Sequence, residues 1–340
     1  MHMADALIVP ATAAVMYGAS GVAAAYSIYK VRQEHAPEKV PVMGVMGAFV
    51  FATQMINFTI PGTGSSGHLC GGLLLSAILG PYAGFLTMIG VLLVQCLFFA
   101  DGGLLALGCN IWNMAFYGCF IGALVIWKNV MKQGASKGKI TLASILGSVV
   151  TLQMGAFSVC VETWASGISS LPFGAFLAAM LPIHLAIGLV EGLITAAVLC
   201  FIHEARPELL WGIGSGEKRK ARLSLGKTVG ILALAAAAIG GFLSLIASSL
   251  PDGLEWALER VAGTAELPAS GSAMKAAESI QSTTSFLPDY AFPGSESAAG
   301  TTVSGLVGAL ITALILIGIA IAFHFFRRSG GEKTEPAAGK

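Results

Sequence analysis

Apolar runs punctuated by short polar clusters fill most of the chain. Runs at about Ala11 to Tyr29, Val40 to Phe58, Tyr82 to Ala100, Leu104 to Trp127, Ile140 to Val161 and Met180 to Ile202 each come near the roughly 20 residues that a helix needs to cross a bilayer. A shorter run, Leu69 to Leu79, is cut off by Gly80-Pro81. Two further runs, about Thr228 to Leu250 and Thr301 to Phe325, flank a polar stretch from Pro251 to Gly300. Lipid offers backbone groups no water to bond, so the runs predict helices. The fold class is therefore an all-α polytopic membrane protein.

Basic residues between the runs assign the sides. Lys30, Arg32 and Lys39 follow the first run, Lys128, Lys132, Lys137 and Lys139 the fifth with the short one counted, and Arg206, Lys218, Arg219, Lys220 and Arg222 the seventh. Lys and Arg mark cytoplasmic loops. Seven crossings put all three clusters inside, and Met1, the Gly-rich loop at Gly62 and the Pro251 to Gly300 stretch outside. Residues 1–205 then form a seven-helix unit, 206–227 a charged cytoplasmic linker, 228–328 a two-span module with an external loop, and 329–340 a disordered tail. In the external stretch, Pro251-Asp252-Gly253-Leu254-Glu255-Trp256 reads as a helix start. Small residues form two stripes on the first span (Ala14, Gly18, Val22; Gly21, Ala25), a pattern that suits close packing of a helix from the same chain or from a partner.

Composition agrees with a membrane protein: 55% hydrophobic, 11% charged, mean hydropathy +0.79. A net charge of +1 leaves no electrostatic footprint for a nucleic acid. Six cysteines scattered through apolar runs with no C-x-x-C pair predict buried thiols, neither disulfides nor a thiolate metal site. The N-terminus carries Asp5 and lacks a basic n-region, so no cleaved leader is expected and Met1 is expected to be retained.

The chemistry lies at the first residues. A chain that begins Met1-His2 offers a divalent metal its terminal amine, the deprotonated His2 amide and the His2 imidazole. These close a five-membered and a six-membered chelate ring in one plane, leaving the fourth corner of a square open. His68, after Gly62-Thr63-Gly64-Ser65-Ser66-Gly67, is the candidate to fill it. Square-planar nitrogen sites suit Ni(II) or Cu(II), whereas structural zinc prefers a tetrahedron. The plainer reading is a chance His at position two and a hydrogen-bonded structural His after a loop.

Polar residues inside apolar runs are candidates for orienting bound imidazoles: Gln54 and Asn57, Asn110 and Asn113, and His184 and Glu191 on one helical face. Each also suits a hydrogen bond that only joins helices. A rival constellation exists. Gly64-Ser65-Ser66-Gly67 resembles the G-x-S-G motif of rhomboid intramembrane proteases, with Ser66 as nucleophile and His184 as base. Against it, the first Gly after His184 comes four residues on, not the rhomboid three, and Met1-His2 is left without a task.

Together, Met1-His2-Met3-Ala4-Asp5-Ala6-Leu7, Gly62 to Leu69, and Ala100-Asp101-Gly102-Gly103 resemble the CbiM/NikM family, substrate-capture subunits of energy-coupling-factor transporters for cobalt and nickel. Pro251-Asp252-Gly253-Leu254-Glu255 and its flanking spans resemble the accessory N component, in a fused NikMN-type arrangement. The resemblance implies Ni(II) or Co(II) as transported substrate, no organic cofactor, and a square plane made by Met1, His2 and His68. It implies as partners a transmembrane coupling subunit of the CbiQ/NikQ type and cytoplasmic ATPases of the CbiO/NikO type. No G-x-x-x-x-G-K-[ST] loop occurs in the chain, so another chain would hydrolyse the ATP. The protein would be multi-pass in the plasma (inner) membrane, and no enzyme.

Overall fold

Helices follow the apolar runs in the computed structural model, which describes residues 1–34, 39–168, 170–213, 221–268, 271–295 and 297–331, without the side chains of 39 and 322–331. They are α1 (Pro10–Glu34), α2 (Lys39–Gln54), α3 (Gly72–Leu79), α4 (Pro81–Phe99), α5 (Leu107–Met131), α6 (Lys137–Ala165), α7 (Phe173–Ala205), α8 (Leu225–Gly241), α9 (Gly253–Ala262), α10 (Ser272–Thr284) and α11 (Ala298–Gly331). Strands β1 (Phe58–Ile60) and β2 (Ser65–Gly67) pair antiparallel, Phe58 opposite Gly67. Among the described residues six helices, α1, α4, α5, α6, α7 and α11, are long and apolar enough to cross a membrane; α2 and α8 are shorter apolar helices. The protein is thus an all-α polytopic membrane protein.

Sequence chemistry explains the breaks. Gly80 turns the chain with φ of 86°, and Pro81 opens α4 where no backbone N–H is needed. The eight-residue α3 is buried over its whole length, which lets so short a helix exist at this depth. Helices α6 and α7 pair along their length. A Cβ on Gly188 would lie 3.0 Å from the Val149 Cα, and one on Gly192 2.5 Å from the Ile145 Cα. Those two glycines therefore serve helix packing. On the far side, α8 and α11 pack against α2 and each other.

Apolar side chains also point outward. Leu142, Leu146, Leu185, Leu189, Leu193 and Leu310 are exposed on helix surfaces, the arrangement that lipid requires and water penalises. Both small-residue stripes of α1 are exposed, with nothing within 4 Å of where a Cβ on Gly18 or Gly21 would sit. The buried face of α1 is Ala13, Ser20 and Ser27 instead, with the Ser20 hydroxyl donating to the Gly108 carbonyl at 2.8 Å. All six cysteines are free, five of them buried and Cys200 half-buried.

Boundaries differ from expectation at several helices; α7 begins at Phe173 and not at Met180, and α1 runs on to Glu34. The second helix stops at Gln54, because Phe58 begins a hairpin whose ladder takes over its backbone bonds. Helix α8 ends at Gly241, where a Gly-Gly pair weakens the helix and one 3-10 turn, Leu243–Ile246, follows. At the C-terminus α11 continues to Gly331, so the tail expected to be disordered from Ser329 begins as helix. Residues 332–340, and 214–220 of the expected linker with Lys218, Arg219 and Lys220, lie outside the described residues.

Candidate metal site

The segment before α1 is clamped by α5. The Met3 N–H donates to Asn110 Oδ1 at 2.7 Å, and the Met3 carbonyl accepts from Asn110 Nδ2 at 3.1 Å and from the Gly103 N–H at 2.8 Å. Asn113 Nδ2 lies 3.6 Å from the Met3 sulfur and donates to Glu162 Oε2 at 2.7 Å. These bonds place the buried Met1 amine, one residue beyond His2, at a set point among the helices.

His68 arrives from β2. Its Nδ1 lies 2.9 Å from the Leu69 carbonyl, which can only accept, so Nδ1 carries the ring proton and Nε2 a lone pair. That Nε2 is 2.8 Å from the Met1 amine. The segment just after His68 is pinned by Glu191, whose carboxylate accepts the N–H groups of Cys70 at 2.8 Å and Gly71 at 3.0 Å. Gln54 Nε2 donates to the Cys70 carbonyl at 2.8 Å from the other side. The His2 and His68 rings stack, centroids 5.1 Å apart at 21°. His2 Nδ1 lies 3.1 Å from Asp101 Oδ1, and His2 Nε2 lies 3.2 Å from Gln95 Oε1.

A third segment closes the cluster from the far end of the sequence. Asp252 is the N-cap of α9: its Oδ1 accepts from the Leu254 N–H at 2.8 Å and the Glu255 N–H at 2.9 Å, and Glu255 Oε2 accepts from the Asp252 N–H at 2.9 Å. Its other oxygen is 2.7 Å from the Met1 amine and 3.6 Å from His68 Nε2. Gly253 allows the approach, since a Cβ there would sit 2.8 Å from Ile187 Cδ1 and 3.1 Å from His184 Cε1. The strand helps: the Ser66 N–H donates to the Pro251 carbonyl at 2.8 Å and the Ser66 hydroxyl to the Leu250 carbonyl at 2.7 Å. Ser66 is therefore spent on docking α9, while His184 Nδ1 faces the Met180 carbonyl at 2.8 Å. No serine–histidine pair forms here.

Charge follows from this packing. Burial pulls the Met1 amine toward the neutral form, but the Asp252 carboxylate and other nearby acidic groups outweigh it and hold its pKa above the ordinary value. Burial drops His2 to about 4 against the opposing pull of Asp101, so its ring is neutral near pH 7. Asp252 is held well below the usual carboxylate range: burial works the other way, but the Met1 ammonium beside it prevails.

The Met1 amine and His68 Nε2 thus meet, with the His2 ring stacked on His68 and its Nδ1 turned to Asp101, and among the described residues no three His, Cys, Asp or Glu side chains form a metal cluster on their own. The expected imidazole partners differ: Gln54, Asn110 and Glu191 hold backbone, Asn113 donates to Glu162, His184 bonds its own helix, and Asn57 offers its backbone carbonyl to the Ser248 N–H at 2.7 Å. The rings of His2 and His68 are met instead by Gln95, Asp101 and the Leu69 carbonyl. Gln95 carries the same signal as the six named candidates, a polar residue inside an apolar run, and is fully buried. Asp252 gave only a helix-start signal in the sequence, and its contact with Met1 spans 251 residues.

The fold is that of a multi-pass membrane protein, and its relatives are transition-metal transport proteins. Residues 2–209 match the family model CbiM, described as the cobalt uptake substrate-specific transmembrane region, and residues 226–325 match the PDGLE domain. The chain belongs to the CbiM family. It is a transporter component and no enzyme. It is 35% identical over 325 residues to a putative fused nickel transport protein NikMN of Archaeoglobus fulgidus, covering 94% of this chain and 98% of that one. It is 28% identical to a probable fused nickel transport protein LarMN of Lactiplantibacillus plantarum, covering 94% and 97%. A solved structure described as a truncated transition metal transporter superposes with a TM-score of 0.53 at 30% identity, over 60% of this chain and 99% of that one.

Proposed function

We propose that the chain captures Ni(II) or Co(II) in a square plane of four nitrogens, the Met1 amine, the His2 amide and Nδ1, and His68 Nε2. One observation carries this reading. Adjacent corners of a square with metal–nitrogen bonds of about 2 Å are about 2.8 Å apart, and the Met1 amine and His68 Nε2 stand at 2.8 Å. In the planar chelate the open corner is the one next to the amine. The amine hydrogen that points at the His68 lone pair keeps the place of the ion.

Capture takes place on the outer side of the plasma membrane, where the basic loops put Met1, the Gly-rich hairpin and the α9–α10 region. Residues 1–205 act as the capture unit, 206–227 as the linker, and 228–328 as the accessory module. Within an energy-coupling-factor complex, a CbiQ/NikQ-type subunit and CbiO/NikO-type ATPases drive the ion inward. The exposed small-residue face of α1 suits the coupling subunit. Release requires the N-terminal segment to move, because only a state that binds the ion worse can let it go.

The test is an added residue before Met1. It turns the amine into a peptide nitrogen and leaves every apolar span untouched. The extended protein, purified and offered equal Ni(II), Co(II), Cu(II) and Zn(II), is expected to retain none tightly, whereas the native chain retains nickel or cobalt. Tight nickel or cobalt retention by the extended protein sinks the four-nitrogen site.

A further inference from the structure

Beside the paired amine and imidazole lies a small chamber, with Met1, His68, Asp252, Gly253 and His184 among its walls. Its volume is about 10 Å³, close to the least that holds one water molecule. A hydrated divalent ion, which carries several waters, is far too large for it.

His184 brings a free acceptor to this chamber. The residue is 1% exposed. Its Nδ1 stands 2.8 Å from the Met180 carbonyl, which can only accept, so in the neutral ring Nδ1 carries the proton and Nε2 a lone pair. That lone pair has no partner among the described residues, whereas buried polar atoms are normally satisfied. The ring edge that carries it is turned toward another wall of the chamber: a Cβ on Gly253 would lie 3.1 Å from His184 Cε1 and 3.4 Å from His184 Nε2.

The Met1 amine has the complementary surplus. Bound to an ion, an amine nitrogen keeps two hydrogens, and the ion takes the place of the hydrogen now shared with His68. Asp252 Oδ2, at 2.7 Å, accepts one of the two. The other has no acceptor among the described residues.

We propose that the chamber binds one water molecule, which accepts the second amine hydrogen and donates to His184 Nε2, and that His184 is thereby a positioning residue for the Met1 ligand. A water bridge of this kind is nearly as favourable as a direct hydrogen bond. With Asp252 on one hydrogen and the bridge on the other, the amine cannot turn about its bond to Cα, and its lone pair stays aimed at the ion. The third histidine of the region thus serves capture without coordinating. The inference rests on the capture site proposed above and concerns the orientation of one of its ligands.

Two substitutions separate the two ring nitrogens. The side-chain amide of Gln reaches about as far as Nε2 and that of Asn about as far as Nδ1, so His184→Gln keeps a polar atom at the chamber and His184→Asn keeps one toward Met180. Nickel affinity of each purified full-length protein is read by competition titration against a chelator. His184→Asn is expected to bind about tenfold more weakly than the native chain, the lower end of the cost of losing a ligand's orienting partner, and His184→Gln to regain most of that loss. If His184→Gln binds no better than His184→Asn, the ring serves only its bond to Met180 and the proposal falls. The absorption spectrum of the bound ion should be native in both; a shifted spectrum would make His184 a ligand and overturn the bridge as well. Should either variant fail to fold, Gly253→Ala takes its place, since the atoms nearest its methyl belong to Ile187 and His184. About tenfold weaker nickel binding is expected there, and native affinity overturns the proposal. Failure of the capture site itself shows separately, as tight nickel binding by the N-terminally extended chain, in which His184 is intact.

Discussion

The segment from Met1 to Met3 and the segment from Pro251 to Glu255 reach the same point from opposite ends of the chain, on different principles. The first offers nitrogen lone pairs in an order set by covalent chemistry, and α5 merely clamps its third residue. The second offers a carboxylate whose one oxygen is spent on starting a helix and whose other oxygen is left for the Met1 amine. In the proposed site one segment decides which ion can be held, and the other decides the charge of the empty site.

The largest expected effect breaks the two apart. His2→Ala and His68→Ala should each abolish tight nickel retention by the purified protein, whereas Asp252→Asn should keep the ion. Loss of nickel in Asp252→Asn as complete as in His68→Ala would make both segments ligands and end the distinction.

Next comes pH. With the amine held protonated beyond its ordinary range and His2 neutral down to about 4, an incoming ion displaces one proton from the amine, one from the amide and none from His2. Affinity should therefore rise with pH, about a hundredfold per unit from roughly pH 6 to 8, and only about tenfold per unit once the amine has lost its proton. Competition titration across that range measures the slope. A slope of zero would mean that neither the amine nor the amide is a ligand.

Gln95→Leu tests the imidazole of His2. Binding metal through Nδ1 places the ring proton on Nε2, which faces Gln95 Oε1 at 3.2 Å. Removing that acceptor should weaken affinity by about 10 to 100-fold. Asn57→Leu, whose side chain meets neither ring, should change it little. Equal losses in both would show that Gln95 acts only through packing.

The smallest effect lies in the cap. Asp252→Ala should loosen α9 by about 0.5 to 2 kcal/mol while Asp252→Asn changes it little, because Asn also caps. Hydrogen exchange of the Leu254 and Glu255 amides reads the difference. Equal exchange in the two variants would mean that docking against Ser66 and Ile187, and not the cap, holds the helix start.

Much of this protein was legible in one dimension because the relevant physics is local. Apolar run length determined the helices and the membrane class, since lipid leaves the backbone no other partner. Met1-His2 carries the three nitrogens of the proposed chelate on adjacent residues, which need no fold to bring them together. Gly62 to Gly67 and Pro251 to Glu255 announced a turn and a helix start in the same way. Tertiary structure decided what depends on distance: that His68 Nε2 comes to 2.8 Å from the amine, that Gln95 and Asp101 face His2 while Gln54, Glu191 and Asn110 hold loop backbone, and that Asp252 reaches Met1. A buried polar residue in an apolar run signals only that it has a partner. Which partner depends on how helices far apart in sequence pack, and no short stretch of the chain carries that information.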